Sequence, residues 1–222
     1  MNSVTPSFGR KFASCLLTWW KENKKWYPFR KTSDPYRVLV SEILLRKTKA
    51  EQVSAVYHKF FKKFPGPCSA SSSSSEDIAS VIKPLGLVSR ANHIFEICKI
   101  ICKDNGKVPS TAEDLEALPG VGRYIANAVL TIGFGDPKPM VDSNVRRVLS
   151  RIIGLNSLDA TSDQLWGIYN EILQRNTYRE IHFATIDLAH QVCLSSKPHC
   201  SECPMKTLCH YCKTERRKSH AV

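Results

Sequence analysis

Apolar residues recur three and four positions apart along nearly the whole chain, and this spacing restricts the fold more than any other feature. Such a period places apolar side chains on one face of an α-helix, whereas a half-buried strand needs strict alternation. No alternating run bounded by turn residues competes with it. The helical segments are FASCLLTWWKENKK, DPYRVLVSEILLRKTKAEQVSAVYHKFFKKF, DIASVIKPLGL, RANHIFEICKIICKDN, YIANAVLTIGF, NVRRVLSRIIGL, SDQLWGIYNEIL and REIHFATIDLAHQVC. The sequence therefore predicts an all-α protein of about ten helices.

Helix-breaking residues mark the boundaries between these segments. The Asp-Pro pair at 34–35 predicts a helix start, and Asp-Asn-Gly at 104–106 predicts a helix stop. Pro-Gly-Pro at 65–67 ends another helix. We expect the serine run at 71–75 to be a solvated loop that ends in an N-cap at Ser75, and we assign it no function.

The chain is strongly basic, with 32 Lys and Arg against 20 Asp and Glu, a net charge of +12 and a pI near 9.4. A surplus of this size is typical of proteins that bind a polyanion such as nucleic acid. A basic protein with no nucleic-acid partner is the alternative.

No stretch reaches the roughly 18 to 20 apolar residues that a membrane span needs, and the N-terminus MNSVTPSFGRKF lacks the apolar core of a signal peptide. We therefore expect an intracellular protein. A reducing compartment disfavours structural disulfides. The cysteines outside the C-terminal segment are accordingly expected to be packed or exposed free thiols: Cys15, Cys68, Cys98 and Cys102.

The turn LPGVG at 118–122 joins the short segment TAEDLEAL to IANAVL. Glycine at Gly120 and Gly122 allows positive φ and removes side chains, so that successive backbone N–H groups and the next helix N-terminus can face outward together. Such a turn can hold a phosphate, and the basic Arg123 follows it directly. The alternative is a tight helix connection whose glycines serve only packing.

Five of the nine cysteines fall within CLSSKPHCSECPMKTLCHYC. Spacings of six, two and five residues separate Cys193, Cys200, Cys203 and Cys209. Four thiolates in one loop can hold either a zinc ion or an iron–sulfur cluster. The spacing does not choose, because a rival zinc-like set replaces Cys193 by Cys212. A third reading, burial for packing alone, is disfavoured because the cysteines are so dense.

Two acidic residues are candidates for chemistry. Asp142 in PMVDSNVRRVLSR stands at a predicted helix start, where Asp is a common capping residue, but its carboxylate could also face a cleft. Glu42 in VLVSEILLRKT lies inside a strongly apolar helix. Such a glutamate is either on the solvent face or costly to bury, and the costly case indicates a functional group.

These pieces, in the order SEILLRKT, LPGVGRY, VDSNVRRVLSR and the cysteine loop, resemble the helix-hairpin-helix DNA glycosylases of the endonuclease III and MutY superfamily, which carry a [4Fe-4S] cluster. The likeness extends from the WYPFR segment to Cys209. It implies that the turn holds a DNA phosphate through residues Gly120, Val121, Gly122 and Arg123. It also implies that the cluster is held by Cys193, Cys200, Cys203 and Cys209, with Cys212 outside the pattern.

Tyr124 separates the chain from one branch of this superfamily. Endonuclease III-like members place a nucleophilic lysine immediately after the GVGR or GVGK segment, and without that amine no Schiff base can form with the sugar from this position. The resemblance therefore implies a monofunctional glycosylase that uses water. Tyrosine here resembles the Mig group of thymine glycosylases that act on T:G mismatches, whereas MutY-type adenine glycosylases usually have serine.

Further departures from the MutY type favour the same group. The chain has Arg46 and Lys47 where MutY-type enzymes have two glutamines against the DNA stack. The sequence ends thirteen residues after Cys209, so we expect none of the discrimination of 8-oxoguanine that MutY-type enzymes perform with a further C-terminal domain. Arg46 and Leu87 are our candidates for filling the vacated stack and contacting the widowed guanine. As in the family, the target base must be flipped out.

The resemblance also implies the catalytic roles. Asp142 stabilises the oxocarbenium-like sugar and orients water, Glu42 hydrogen-bonds the departing base or positions water, and Tyr124 lines the pocket. We expect two helical domains, residues 28–138 and residues 1–27 plus 139–222, with a cleft between them for double-stranded DNA that contains a mismatched or damaged base, in a monomer. An adenine glycosylase, a lyase that uses another lysine, or a catalytically silent DNA-binding module are the alternatives.

Overall fold

The structure is a computed structural model that describes residues 5–86, 89–155, 162–173 and 177–219. Helices account for all the regular structure in these ranges, and no strand occurs in them, which confirms the all-α prediction. In chain order the helices are α1 (Pro6–Asn23), α2 (Pro35–Leu45), α3 (Ala50–Lys63), α4 (Pro67–Ser71), α5 (Ser75–Ile82), α6 (Ser89–Lys103), α7 (Ala112–Glu116), α8 (Arg123–Ala128), α9 (Ser143–Ile153), α10 (Ser162–Ile172), α11 (Tyr178–Gln191) and α12 (His210–Ser219).

The chain forms two compact units, one made of residues 26–137 and the other of residues 1–25 with 138–222. In the 26–137 unit, α2 packs against α3, α6, α8 and a π-helical segment, Val129–Phe134, that continues α8. A Cβ at Gly133 would lie 2.9 Å from the Pro35 Cα, so glycine allows this segment to approach the start of α2. In the other unit, α1 packs on α10 and α11, while α9 packs on α10, α11 and α12.

The helix signals at 34–35 and 104–106 are confirmed. The Asp34 carboxylate caps α2 by accepting the Tyr36 amide at 2.9 Å. Helix α6 ends at Lys103, after which Asn105 and Gly106 adopt positive φ of 51° and 75°. Both signals are local, because they depend on capping oxygens and on left-handed backbone rather than on distant contacts.

The segment 34–64 differs from its prediction because it is two helices, α2 and α3, rather than one. Lys47 lies between them with φ of 53°. The Arg90 guanidinium on α6 donates to the Leu44 carbonyl and to Thr48 Oγ1, both at 2.7 Å. It thus supplies hydrogen-bond donors to a backbone acceptor and a side-chain acceptor at the point where α2 ends. Apolar spacing continues across this break, so periodicity alone could not locate it.

The serine run is also different from the expected solvated loop. Helix α4 ends at Ser71, and the N-cap of α5 is Ser74, one residue before the predicted position, whose hydroxyl accepts the Asp77 amide at 3.0 Å. The hydroxyl of Ser73 donates to the Ala70 carbonyl at 2.7 Å. Serine hydroxyls thus replace solvent as partners of the main chain in this tight α4–α5 connection.

The expectation that Cys68 and Cys102 are free thiols is wrong. They form a disulfide, with their Cα atoms 4.9 Å apart. Helix α4 packs closely against α6 and brings together two cysteines separated by 34 positions. Cys98 is a buried free thiol, and burial raises its pKa to about 12. Cys15 is free and half-buried.

Over the described ranges, none of the helices is both apolar enough and long enough to traverse a lipid bilayer.

Candidate functional site

The turn between α7 and α8 is a hairpin in which the two glycines serve different purposes. Gly120 adopts φ of 72°, the left-handed region that favours glycine. Gly122 is extended at φ of −110°, so the prediction of positive φ holds only for Gly120. A Cβ at Gly122 would meet nothing within 4 Å. The packing of the folded chain therefore does not require glycine at 122.

The backbone amides of the hairpin divide in the same way. The Val121 amide donates to the Leu118 carbonyl at 3.1 Å, and the Val121 side chain is buried, so this residue anchors the turn and its N–H does not face outward as predicted. The amides of Gly120 and Gly122 have no acceptor in the described part of the chain. These two N–H groups, next to the N-terminus of α8, form a surface suited to a phosphate oxygen.

Arg46 is attached to this hairpin rather than extended into solvent. Its Nη1 donates to the Gly120 carbonyl at 3.1 Å. The peptide unit between Gly120 and Val121 is held at both ends, because its N–H group, that of Val121, donates to the Leu118 carbonyl. On the α6 side, a Cβ at Gly120 would lie 3.6 Å from the His93 ring. Sequence reasoning missed His93 because nothing in its local pattern connects α6 with the turn.

The neighbouring basic residues extend this surface. Lys47 is exposed, and its positive φ is unusual for a residue with a long side chain. Arg123 at the start of α8 is also exposed. Partial burial and the Arg46 guanidinium together lower the pKa of Arg90, which lies behind the α2–α3 link. Leu87, our candidate wedge, lies outside the described residues.

Glu42 and Tyr124 lie on two helices, α2 and α8, that pack against each other. Both side chains are half-buried, and the neighbours of Glu42 in the chain, Ser41 and Ile43, are buried. Tyr124 is the second residue of α8, immediately after the hairpin. The 26–137 unit therefore places a carboxylate and a phenol on the two helices that flank the amide surface.

Asp142, in the other unit, is the N-cap of α9. Its Oδ1 accepts the Val145 amide at 2.8 Å, and its Oδ2 accepts the Asn144 side-chain amide at 2.9 Å. The side chain is half-buried. Each carboxylate oxygen retains a second lone pair, so the capping role leaves the carboxylate able to accept a further hydrogen bond or to stabilise positive charge.

A chain of hydrogen bonds connects Asp142 with the cysteine loop. Arg147 Nη2 donates to Asn144 Oδ1 at 3.1 Å and to the Ala189 carbonyl at 3.1 Å, and its Nε donates to the Cys193 carbonyl at 2.9 Å. Sequence reasoning missed Asn144 and Arg147, since an Asn and an Arg following a helix cap have no distinctive signal of their own.

The five C-terminal cysteines line one small cavity of about 20 Å³ between α9, α11 and α12. Arg151 Nη1 donates to Cys193 Sγ at 3.3 Å. Burial, together with smaller contributions from the nearby Cys209, Cys193 and Cys200, raises the pKa of the Cys203 thiol to about 11, so thiolates here require a compensating cation. Among the described residues, no three side chains are placed to hold a single metal ion. The converging thiols are candidate ligands for a metal centre.

The sequence matches the family model of the HhH-GPD superfamily base excision DNA repair proteins over residues 40–171. This match covers more than half of the chain, and the protein belongs to that family.

Individual relatives extend the likeness over nearly the whole chain. It is 36% identical to a thymine-DNA glycosylase of Aeropyrum pernix, over 88% of this chain and 92% of the relative. It is 34% identical to a thymine/uracil-DNA glycosylase of Methanothermobacter thermautotrophicus, over 95% of this chain and 97% of the relative. The solved structure of a thermostable thymine-DNA glycosylase superposes with a TM-score of 0.89 at 32% identity, covering 96% of this chain and 100% of that one.

Proposed function

We propose that this protein is a monofunctional DNA glycosylase that releases thymine or uracil opposite guanine and leaves an intact abasic strand. The observation that carries the proposal is the similarity, over nearly the full length of both chains, to enzymes named for thymine and uracil. Tyr124 directly after the hairpin supports the monofunctional mechanism, because a phenol cannot form a Schiff base with the sugar.

DNA is held at the hairpin. The free amides of Gly120 and Gly122 both donate to a phosphate oxygen, while Arg46 holds the segment between them in place by donating to the Gly120 carbonyl. Lys47 and Arg123 add positive charge beside the phosphate. These contacts go to the backbone, so they position the duplex and carry no information about the base.

The reaction begins when the target base flips out of the base stack. Unstacking a paired base costs a few kcal/mol, and the cost is lower for a mispaired base. Hydrolysis then breaks the bond between the sugar C1′ and the base, and water supplies the oxygen that bonds to C1′. One water proton stays on the new C1′ hydroxyl, and the other passes, directly or through a basic side chain, to the departing base. Asp142 stabilises the positive charge that grows on the sugar. Glu42 hydrogen-bonds the departing base or the water, and Tyr124 packs on the flipped base.

A [4Fe-4S] cluster is the cofactor that the thiol cavity fits, with Cys193, Cys200, Cys203 and Cys209 as its ligands. When bound, the cluster cross-links the C-terminal loop and compensates the charge of four thiolates. The residues of this chain then act through that fixed loop: Arg147 contacts the Cys193 carbonyl and holds Asn144 against Asp142.

The test is a panel of otherwise identical duplexes that contain T:G, U:G, A:G, A:8-oxoguanine or C:G, scored for base release with and without hot alkali. We expect release from T:G and U:G, with strand breaks only after alkali. Preferential release of adenine would refute the substrate assignment.

Tyr124→Lys tests the mechanism separately. An amine at this position should produce strand cleavage and a borohydride-trapped complex with DNA, whereas Tyr124→Phe should produce neither. Trapping of the unmodified protein as efficiently as Tyr124→Lys would refute the monofunctional mechanism and leave the substrate assignment intact.

A further inference from the structure

The cysteine cavity contains one more sulfur than the proposed cluster needs. Cys212 lines the same cavity as the four proposed ligands and is only 3% exposed. The sequence pattern assigned it no role. Its position in the cavity therefore calls for an explanation other than the ligand spacing.

Cys212 is closer along the chain to one of the four ligands than to the others. It lies three residues after Cys209 but nine residues after Cys203. Cys209 and Cys212 are both buried in the wall of the same cavity. The fifth sulfur therefore belongs to the same short stretch of chain as Cys209.

The backbone explains why Cys209 and Cys212 can serve the same corner of the cavity. The Lys213 amide donates to the Cys209 carbonyl at 3.2 Å, so Cys209 begins the first turn of α12. Residues three apart on a helical turn project side chains to the same face. The two sulfurs therefore lie on the same side of this turn, where either can serve one metal position.

Helix α12 is also held firmly enough to keep Cys212 in place. A Cβ at Gly154, the C-cap of α9 with φ of 82°, would lie 2.5 Å from the His210 ring, so the two helices are in close contact there. The Arg151 guanidinium lies 5.1 Å from the centre of the Tyr211 ring. Both contacts are made by the two residues between Cys209 and Cys212, and neither uses the Cys209 side chain.

We propose that Cys212 is a reserve ligand of the iron–sulfur cluster, which takes over the iron of Cys209 when that thiolate is lost. The inference rests on the proposed cluster. It does not extend to Cys203, which lies nine residues before Cys212 and begins a different turn of the loop, because its carbonyl accepts the Lys206 amide. A buried cysteine that only packs would give no such distinction between the two positions.

The experiment compares alanine variants, because alanine, unlike serine, cannot bind iron. Cys212→Ala should keep about four irons per chain and an unchanged visible spectrum. Cys209→Ala should retain at least about threefold more iron than Cys203→Ala, because only the former has a substitute thiol. The double variant Cys209→Ala/Cys212→Ala should fall to the level of Cys203→Ala. Iron content, the visible spectrum and the yield of soluble protein are measured for each.

Each result decides between the proposals. Equal iron loss in Cys209→Ala and Cys203→Ala overturns the reserve-ligand role, and so does failure of Cys209→Ala to accumulate better than Cys203→Ala. A double variant with as much iron as Cys209→Ala overturns it as well. Wild-type protein that is colourless and lacks iron overturns the cluster itself, and the reserve-ligand role with it.

Discussion

Asp34 and Asp142 both stand at helix N-termini, one in each unit, but their carboxylates are held differently. Asp34 Oδ1 accepts two amides of the first turn of α2, and its Oδ2 faces Arg37 Nε at 3.6 Å. Asp142 Oδ1 accepts one amide of α9, and its Oδ2 accepts the side chain of Asn144. The first carboxylate is used by its own helix and a nearby cation, while the second is oriented by a side chain.

The difference continues beyond the first contact. Asn144 is held by Arg147, which also bonds to the carbonyls of Ala189 and Cys193. The Arg37 guanidinium, by contrast, lies over the Phe61 ring, 5.4 Å from its centre. The same local signal, an Asp before a helix, therefore has two outcomes. The Asp34 carboxylate only caps its helix, whereas the orientation of the Asp142 carboxylate also depends on residues distant in the sequence.

The largest expected effect comes from Asp142→Asn. It removes a charge that acts mainly in the transition state, so we expect single-turnover release of thymine from a T:G duplex to fall about 10³-fold. Asparagine caps a helix as well as aspartate, so thermal stability and mismatch binding should be retained. Asp34→Asn makes the same chemical change at the other cap and should excise at the normal rate. A near-normal rate of base excision by Asp142→Asn would show that Asp142 serves only as a helix cap.

Asn144→Ala should have the next largest effect. The substitution frees Asp142 Oδ2 and one donor of Arg147, and loss of a supporting contact of this kind costs about tenfold or more in activity. The rate of base release should fall while the dissociation constant for abasic DNA stays the same. Thr32→Ala, which removes the hydroxyl that accepts the Asp34 amide, is the matched control. Equal rates in the two variants would show that orientation of the carboxylate is unimportant.

Alanine at either cap compares the contribution of the two aspartates to stability. Loss of an N-cap costs about 1 kcal/mol, so Asp34→Ala and Asp142→Ala should each lower the melting temperature by about 2–4 °C. Thermal denaturation followed by helical circular dichroism measures the change in the midpoint. Both losses should be similar, although only one variant loses activity. If neither midpoint moves, the capping bonds contribute nothing to stability.

The smallest effect concerns two non-glycine residues of the 26–137 unit with positive φ, Lys47 and Asn105. Lys47→Gly should raise stability by about 0.5 kcal/mol because glycine removes the left-handed strain, and it should weaken DNA binding with a salt slope lower by about 0.9. Asn105→Gly should change stability less, because Asn tolerates this conformation, and should leave DNA affinity unchanged. Loss of affinity in both variants would place the effect in the fold rather than at the DNA surface.

Much of the fold could be predicted from sequence because its signals are local. Helical spacing, the Asp34 cap and the stop after Lys103 each depend on residues within one or two turns. The break between α2 and α3 could not, because it depends on Arg90 from α6. The disulfide between Cys68 and Cys102 was missed for the same reason, since only the packing of α4 on α6 brings the two sulfurs together.

The candidate site divides along the same line. By itself, the sequence determined the family, the glycine turn, the missing lysine at Tyr124 and the density of C-terminal cysteines, because these are matters of residue type and spacing along the chain. Only the tertiary structure decided that Arg46 holds the Gly120 carbonyl, that Asn144 and Arg147 connect Asp142 with the cysteine loop, and that Cys212 joins the thiol cavity. Each of these contacts joins separate helices or loops, and a side chain's partner across such a distance is set by packing, which no local pattern encodes.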